Sequence, residues 1–417
     1  MNNFFKYLLV AIISSIVTFL IINQYAPLLI EVPEKDQKIL PIDFKKDVNP
    51  KELKQVDVKA RNIILLIGDG MGPTHISVYR NVQGGPNHKL SFDKFDFSGY
   101  VKTHAYNSLV TDSAASATAF SSGVKTINRY VGVDHNNKPT KNITEMLFEK
   151  GFVNTIISTS EITHATPAAF ASHVSSRYEK EKIAEHIYNS KNHIVLGGGT
   201  DYFLPIEEGG IREDGVNFVK KIKKNFHYLE TKKDIDNFNY IDRKRIFGLF
   251  AEDDLERTEF EPNLLEMLDF SIQESKRMIA DGCKGFFIMA EGSKIDWASH
   301  DNDYEYYLKE MQEFEKTVEK ALNYAQENND TLVIVTADHE TGGLLIEQDD
   351  ARYRETGKMK ISWNTAIGRG THTGIMIPVF AQGPGAENFS GVMDNTDVFF
   401  AMKEALGIEN LEDYQCN

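Results

Sequence analysis

The chain has 417 residues, 26% charged and 41% hydrophobic, with a formal net charge of -15. That is globular composition with enough chain to bury a large core, and the acidic balance excludes a dedicated nucleic-acid binder, which shows a basic face. Two cysteines, Cys283 and Cys416, are too few for a disulfide framework and form no Cys-based metal pattern, so any metal must be held by histidine and carboxylate.

At the N-terminus, Phe4-Phe5-Lys6 precedes an uncharged apolar run from Tyr7 to Ile22. One early lysine and such a run read as a signal h-region or a short membrane anchor within residues 1–30. No A-x-A cleavage pattern follows, so we expect an uncleaved anchor and an exported remainder, periplasmic or at the cell surface; a cleaved signal is the alternative. Residues 31–60 turn to Lys, Asp, Glu and Pro, punctuated by Pro33, Pro41 and Pro50. They read as a linker or an arm lying on the surface.

After Arg61 the pattern becomes α/β. Asn62 to Ile67 is a continuous apolar run closed by Gly68-Asp69-Gly70, as suits a central strand buried on both faces. Similar runs are Val153–Ile157, His193–Leu196, Arg245–Phe250, Gly285–Ala290 and Thr331–Val335. Helical stretches lie between them at Lys180–Asn189, Asn263–Ala280 and Tyr304–Gln326, the last with Leu308, Met311, Phe314, Val318 and Leu322 on one stripe. This alternation predicts a largely parallel sheet with helices on both faces. Cys283, just before an apolar run, reads as a small core residue.

Several strands end in acidic or polar residues: Asp69 after Ile67, Glu291 after Ala290, and Asp338-His339 after Thr336-Ala337. Sites in open α/β sheets form at the carboxyl ends of strands, and three carboxylates on one rim exceed what helix capping explains.

Asp296 and His300, at i and i+4, share one face if helical, which makes a metal clamp. Glu291 precedes them as a third ligand candidate. Asp338 and His339 can serve one metal if the chain turns there, and Glu340-Thr341-Gly342-Gly343 supplies a turn. His372, in the small-residue loop Gly370–Gly374, is either a surface histidine or one reaching inward. Ser113 heads the small-residue segment Ala114–Phe120, which reads as a tightly packed helix. It is either the N-cap of that helix or a nucleophile at an anion-attracting N-terminus. No histidine lies within a few residues, so activation would come from spatial neighbours or a metal. Arg177 is either a surface ion-pair partner or a fork for two phosphate oxygens.

Taken together, these segments resemble the alkaline phosphatase family over essentially everything after Arg61. The most specific stretch is Thr111-Asp112-Ser113-Ala114-Ala115-Ser116-Ala117-Thr118-Ala119 with Gly123-Val124-Lys125-Thr126. Gly68-Asp69-Gly70-Met71-Gly72, the stretch from Ala165-Thr166-Pro167-Ala168 to Arg177, the Glu291–His300 run, Thr336-Ala337-Asp338-His339 and His372-Thr373-Gly374 follow the family's order. The resemblance implies a three-layer α/β/α sandwich with a large, mostly parallel central sheet, filling residues 61–417. A short crown insertion would span about residues 341–370, shaped as a hairpin turning at Glu355-Thr356-Gly357-Lys358, with Trp363 near the rim.

It also implies hydrolysis of phosphate monoesters through a phosphoserine on Ser113, with two zinc ions and one magnesium ion per subunit. One zinc would be held by Asp296, His300 and His372; it would stabilise the leaving alkoxide and then bind the hydrolytic water. The second would be held by Asp69, Asp338 and His339 and would lower the Ser113 pKa. Asp69 would bridge to magnesium, completed by Thr166 and Glu291. Asp112, Ser113, Arg177 and Trp297 would line the phosphate. His164 and Trp297 depart from the best-known bacterial pattern, which has Asp and Lys there, and resemble a subset of other bacterial members. His164 suits magnesium's water shell less well, so the third site is expected to be weaker or to accept zinc. The family tends to dimerise, so a homodimer is expected. The alternatives are a phosphodiesterase or sulfatase of the same superfamily, and a non-catalytic anchored metal- or phosphate-binding protein.

Overall fold

The computed structural model describes residues 50–239, 242, 244–348, 358–365 and 369–416. The expected signal or anchor and most of the linker fall outside these residues, as do Glu355-Thr356-Gly357 of the expected hairpin turn. Among the described residues no helix is long and apolar enough to cross a membrane.

The sheet is built from strands β1 (Asn62–Gly68), β2 (Phe97–Lys102), β3 (Val153–Glu161), β4 (Ile194–Gly198), β5 (His227–Leu229), β6 (Ile246–Leu249), β7 (Phe286–Gly292) and β8 (Thr331–Thr336). Further along come two short pairing strands, β9 (Glu340–Thr341) and β10 (Leu345–Glu347), then β11 (Lys360–Ser362), β12 (His372–Thr373), β13 (Ile377–Gln382) and β14 (Gly391–Asp394). Ten of these form one sheet in the order β14-β2-β13-β8-β1-β7-β3-β4-β6-β5. All its pairings are parallel except those of β13, which runs antiparallel to both β2 and β8.

The long apolar runs became the central strands for a simple reason. Ile63, Ile64, Leu65, Leu66 and Ile67 of β1 are all fully buried, which requires cover on both faces. Each such side chain contributes about 1.5–3 kcal/mol of burial. Helices Leu264–Ala280 and Tyr304–Glu327 are among those supplying that cover, the latter through Met311, Phe314, Val318 and Leu322. The fold is therefore the expected mostly parallel α/β sandwich.

Residues 50–60 form an arm on the body of the protein rather than a free linker. Lys54 N–H donates to Asn388 Oδ1 at 2.8 Å, Lys59 Nζ pairs with Glu404 at 2.7 Å, and Ala60 N–H donates to Ala405 O at 2.8 Å. Within the stretch expected to form the crown insertion, β10 and β11 pair antiparallel in the register Ile346↔Ile361. Cys283 corrects the sequence reading. It is not a free core thiol but is joined to Cys416 in a disulfide, with Cα atoms 4.9 Å apart. The bond staples the C-terminal tail to the loop before β7.

Candidate active site

Four neighbouring parallel strands, β8, β1, β7 and β3, present their carboxyl ends side by side. Register places Glu291 of β7 beside Ile67 of β1 and Ser158 of β3. Asp69 follows β1 directly, Asp338 and His339 follow β8 after one residue, and His164 and Thr166 follow β3. The rim inferred from strand ends is therefore one contiguous patch. The chain turns sharply enough at Asp69 that Gly70 takes φ 74°, and a Cβ there would stand 2.7 Å from the Asp296 Cα. Only glycine allows this approach.

His372 is brought in by a separate device. Strand β12 pairs antiparallel with β9, so His372 lies opposite Thr341, next but one to His339. Its Nδ1 meets Thr111 O at 3.0 Å, which turns Nε2 inward. The surface-histidine alternative is thereby removed. Asp296 and His300 lie on the short helix Lys294–His300, with His300 Nε2 3.2 Å from Asp296 Oδ2 and 3.2 Å from His372 Nε2.

Ser113 is the first residue of the helix Ser113–Ser122, and the cap is Asp112, which accepts from Ala115 N–H at 3.0 Å. The cap alternative for Ser113 therefore falls away. Its Oγ instead lies 3.2 Å from His339 Nε2 at the positive end of the helix dipole. Asp112 also accepts from Arg129 N–H at 3.0 Å and from Arg177 Nη1 at 3.2 Å. The other Arg177 terminal nitrogen, Nη2, lies 2.9 Å from His164 Nε2. Trp297 stands edge-to-face with His164, ring centroids 5.8 Å apart, and lies under Lys294 Nζ at 5.4 Å.

Three groups of side chains could each hold a metal ion: Asp69 with Asp338 and His339, Asp296 with His339 and His372, and Asp69 with His164 and Glu291. A fourth acidic set, Glu161 with Asp253 and Asp254, lies around the Lys180 ammonium, which pairs with Glu161. The first three groups fit cations on chemical grounds. Both Asp69 oxygens, Glu291 Oε1, His164 Nδ1 and Thr166 Oγ1 are buried without a hydrogen-bond partner, and Asp338 Oδ2 faces the His339 ring at 3.1 Å. Buried charge of one sign without donors is costly unless a cation answers it.

Titration behaviour follows the same crowding. Burial, then the charges of Asp338, Asp296 and Glu291, push Asp69 well above the usual carboxylate range. Burial raises Glu291 to about 7 against the pull of the Ser158 and Ser293 hydroxyls. For Asp338, burial is outweighed by the charge and hydrogen bond of His339, which bring it to about 2. Asp296 is also held low, because His300, His372 and His339 overcome its burial. Burial and then Arg177 lower His164 to about 3, and burial and then His339 lower His372 to about 4. Imidazoles kept neutral have lone pairs ready for ligation.

Thr341, read from the sequence only as part of a turn, is a further member of the site. Its hydroxyl donates to Asp296 Oδ1 and lies 3.2 Å from His339 Nδ1. A carboxylate accepts and the hydroxyl has one proton, so His339 Nδ1 must be the donor. In the neutral ring the lone pair is then on Nε2, which faces Asp69, Asp338 and Ser113.

A serine at a helix N-terminus, an arginine beside it, and buried imidazoles and carboxylates on the carboxyl rim of a parallel sheet define a metal-binding hydrolase. The chain belongs to the alkaline phosphatase family, whose profile matches residues 60–360 and 345–408, and is an enzyme of that phosphoric monoester hydrolase class. It is similar to alkaline phosphatase 4 of Bacillus subtilis, at 33% identity over 82% of this chain and 88% of the relative. It is also similar to the alkaline phosphatase of Escherichia coli, at 29% identity over 85% of this chain and 87% of that one. Among solved structures, the alkaline phosphatase of the Antarctic bacterium TAB5 superposes with a TM-score of 0.72 at 31% identity, covering 85% of this chain and 99% of that one. A histidine-to-aspartate variant of the TAB5 enzyme has been solved with magnesium bound in its M3 site.

Proposed function

We propose that the enzyme hydrolyses phosphate monoesters through a phosphoserine on Ser113, with two zinc ions and one magnesium or zinc ion in the three groups. The observation carrying this reading is the 3.2 Å approach of Ser113 Oγ to His339 Nε2 at a helix N-terminus. Asp69, Asp338 and His339 would hold one zinc, and Asp296 and His372 the other, with His300, whose Nε2 lies 3.2 Å from both, taking the place of His339 in that group. Asp69, Glu291 and Thr166, with His164 beside them, would form the third site. Bound zinc supplies Lewis acidity for the entering and leaving oxygens of an in-line displacement.

The chain's own groups do the rest. The Ser113 helix offers N–H groups and its dipole to the phosphoryl oxygens. Asp112 caps that helix and anchors the Arg177 guanidinium, whose remaining N–H groups would take two phosphoryl oxygens. Ser113 Oγ, giving up its proton, forms the bond to phosphorus as the bond to the ester oxygen breaks, and the departing alkoxide takes up a proton to leave as the alcohol. Water then cleaves the phosphoserine, releasing phosphate and restoring the hydroxyl.

The test is to quench turnover of radiolabelled substrate in acid and look for label on Ser113. Label on the serine of wild type, absent from Ser113→Ala, supports the reading. Absence of label in an active wild type overturns it. Comparing the para-nitrophenyl monoester, diester and sulfate separates monoester hydrolysis from the other superfamily chemistries.

We also propose an extracytoplasmic location and a homodimer. The Cys283–Cys416 disulfide supports the former, since such bonds persist in oxidising compartments. The apolar run Tyr7–Ile22 would then be a signal or anchor. For the dimer, Leu109, Ile375 and Met376 are exposed apolar side chains on two adjoining loops beside His372. Light scattering on the purified protein tests it.

A further inference from the structure

His75 lies in the first turn of the helix Pro73–Gly84 and is fully buried. Gly72 N–H donates to its Nδ1 at 3.2 Å. With Nδ1 accepting, the neutral ring carries its proton on Nε2, 3.0 Å from Ser299 Oγ. Ser299 Oγ has given its own proton to Ile295 O at 2.7 Å, so it accepts. Every donor and acceptor in this chain is thereby fixed. Tyr307 packs edge-on to the ring at 5.5 Å and donates its hydroxyl to His75 O. Trp363, from the segment following β11, lies against the same ring at 6.0 Å. Burial takes His75 down to about 3, with the charge of Asp296 opposing it.

A satisfied core histidine would show the same burial. What sets His75 apart is what its two hydrogen bonds join. Gly72 belongs to the turn that begins at Asp69, and Ser299 lies between Asp296 and His300 on one turn of helix. We propose that His75 is a positioning residue for the metal centre: it ties the Asp69 turn to the helix bearing Asp296 and His300, and so sets the spacing between their metal groups. This rests on the reading that those groups hold zinc.

The test uses zinc-loaded full-length enzyme challenged with a chromophoric chelator, with zinc release followed in time. Thermal unfolding of the metal-free proteins is measured alongside. Three variants are compared: Ser299→Ala, His75→Phe and His75→Gln, whose terminal amide N–H restores the donor. Ser299→Ala and His75→Phe are expected to release zinc about tenfold faster, the low end for loss of a group supporting a ligand. Combining them should add nothing further, and His75→Gln should return toward the wild-type rate. Wild-type release rates in Ser299→Ala would overturn the proposal. So would a His75→Gln rate equal to that of His75→Phe, because ring packing and not the hydrogen bond would then be the cause. If His75→Phe does not fold, Ser299→Ala decides alone, as it deletes one hydroxyl from a helix. A wild type that takes up no zinc sinks the metal reading itself, which separates the two failures.

Discussion

The Thr341 hydroxyl donates to the Asp296 carboxylate and in the same geometry accepts from His339 Nδ1 at 3.2 Å, so one oxygen supports a ligand in each of two metal groups. Replacing it with an isosteric methyl leaves a carboxylate and an imidazole N–H unpaired in a buried site, at about 1–3 kcal/mol each. Thr341→Val is expected to lower zinc affinity about 10–100-fold, while Thr341→Ser retains it. Zinc content after dialysis against graded chelator is the measurement. Full zinc occupancy in Thr341→Val at wild-type chelator concentrations would refute this.

His164 sets the character of the third group. Its Nδ1 is buried without a partner while its Nε2 faces Arg177 Nη2 at 2.9 Å. A nitrogen ligand favours zinc over magnesium, which prefers oxygen and water. His164→Asp is therefore expected to exchange zinc for magnesium at this group when equilibrated with both ions, with magnesium then stimulating the variant more than the wild type. Metal analysis and activity titration check this. Ligation through Nδ1 would also place the ring proton on Nε2 and end its acceptance from Arg177. Phosphate inhibition of the wild type should accordingly change as the third group fills.

The Cys283–Cys416 bond closes a loop with a sequence separation of 133 residues. Bonds of this kind contribute about 2–4 kcal/mol. Cys416→Ser is expected to lose about that much in urea unfolding, and dithiothreitol should bring the wild type down to the same level. Equal midpoints with and without reductant would exclude a stabilising bond.

His173 gives a pH-dependent contribution away from the metal groups. Burial works against its charge, but the Glu145 carboxylate at 3.0 Å and Gly132 O at 2.6 Å outweigh it, so its pKa lies above 6.5. A raised folded pKa brings stability that is complete below the unfolded value of 6.5 and is lost as pH rises through the folded one. His173→Gln should cost about 1 kcal/mol more at pH 5.5 than at pH 9, between the values for surface and buried pairs. Denaturant midpoints of both proteins at each pH test the sign. A larger cost at pH 9 would contradict it.

Much of this molecule is legible in its sequence, for identifiable reasons. Strands β1, β3, β7 and β8 are buried on both faces, so they read as unbroken apolar runs. Strand β14 is a sheet edge and β2 lies next to it, with Tyr100 and Val392 exposed, and β5 is three residues long, so no period marks them. Asp69, Glu291, Asp338 and His339 are visible because strand ends converge. Thr341 and His75 are not, because a single hydroxyl or a buried ring gains its role only from the residues that fold around it. The Cys283–Cys416 pairing likewise has no local signature. Ser113 is ambiguous by itself because capping and nucleophilic serines share a position; the presence of Asp112 one residue earlier decides it.

The pairing of β12 with β9 has a further consequence for how the enzyme comes into being. Asp69 and His372 lie near opposite ends of the described chain, and that short pairing, with the Thr111 carbonyl, brings His372 to the site. No N-terminal fragment emerging during synthesis or transport contains the complete ligand set. Zinc capture would therefore mark the end of folding rather than guide its beginning, and a chain stalled before β12 would be left without the full centre.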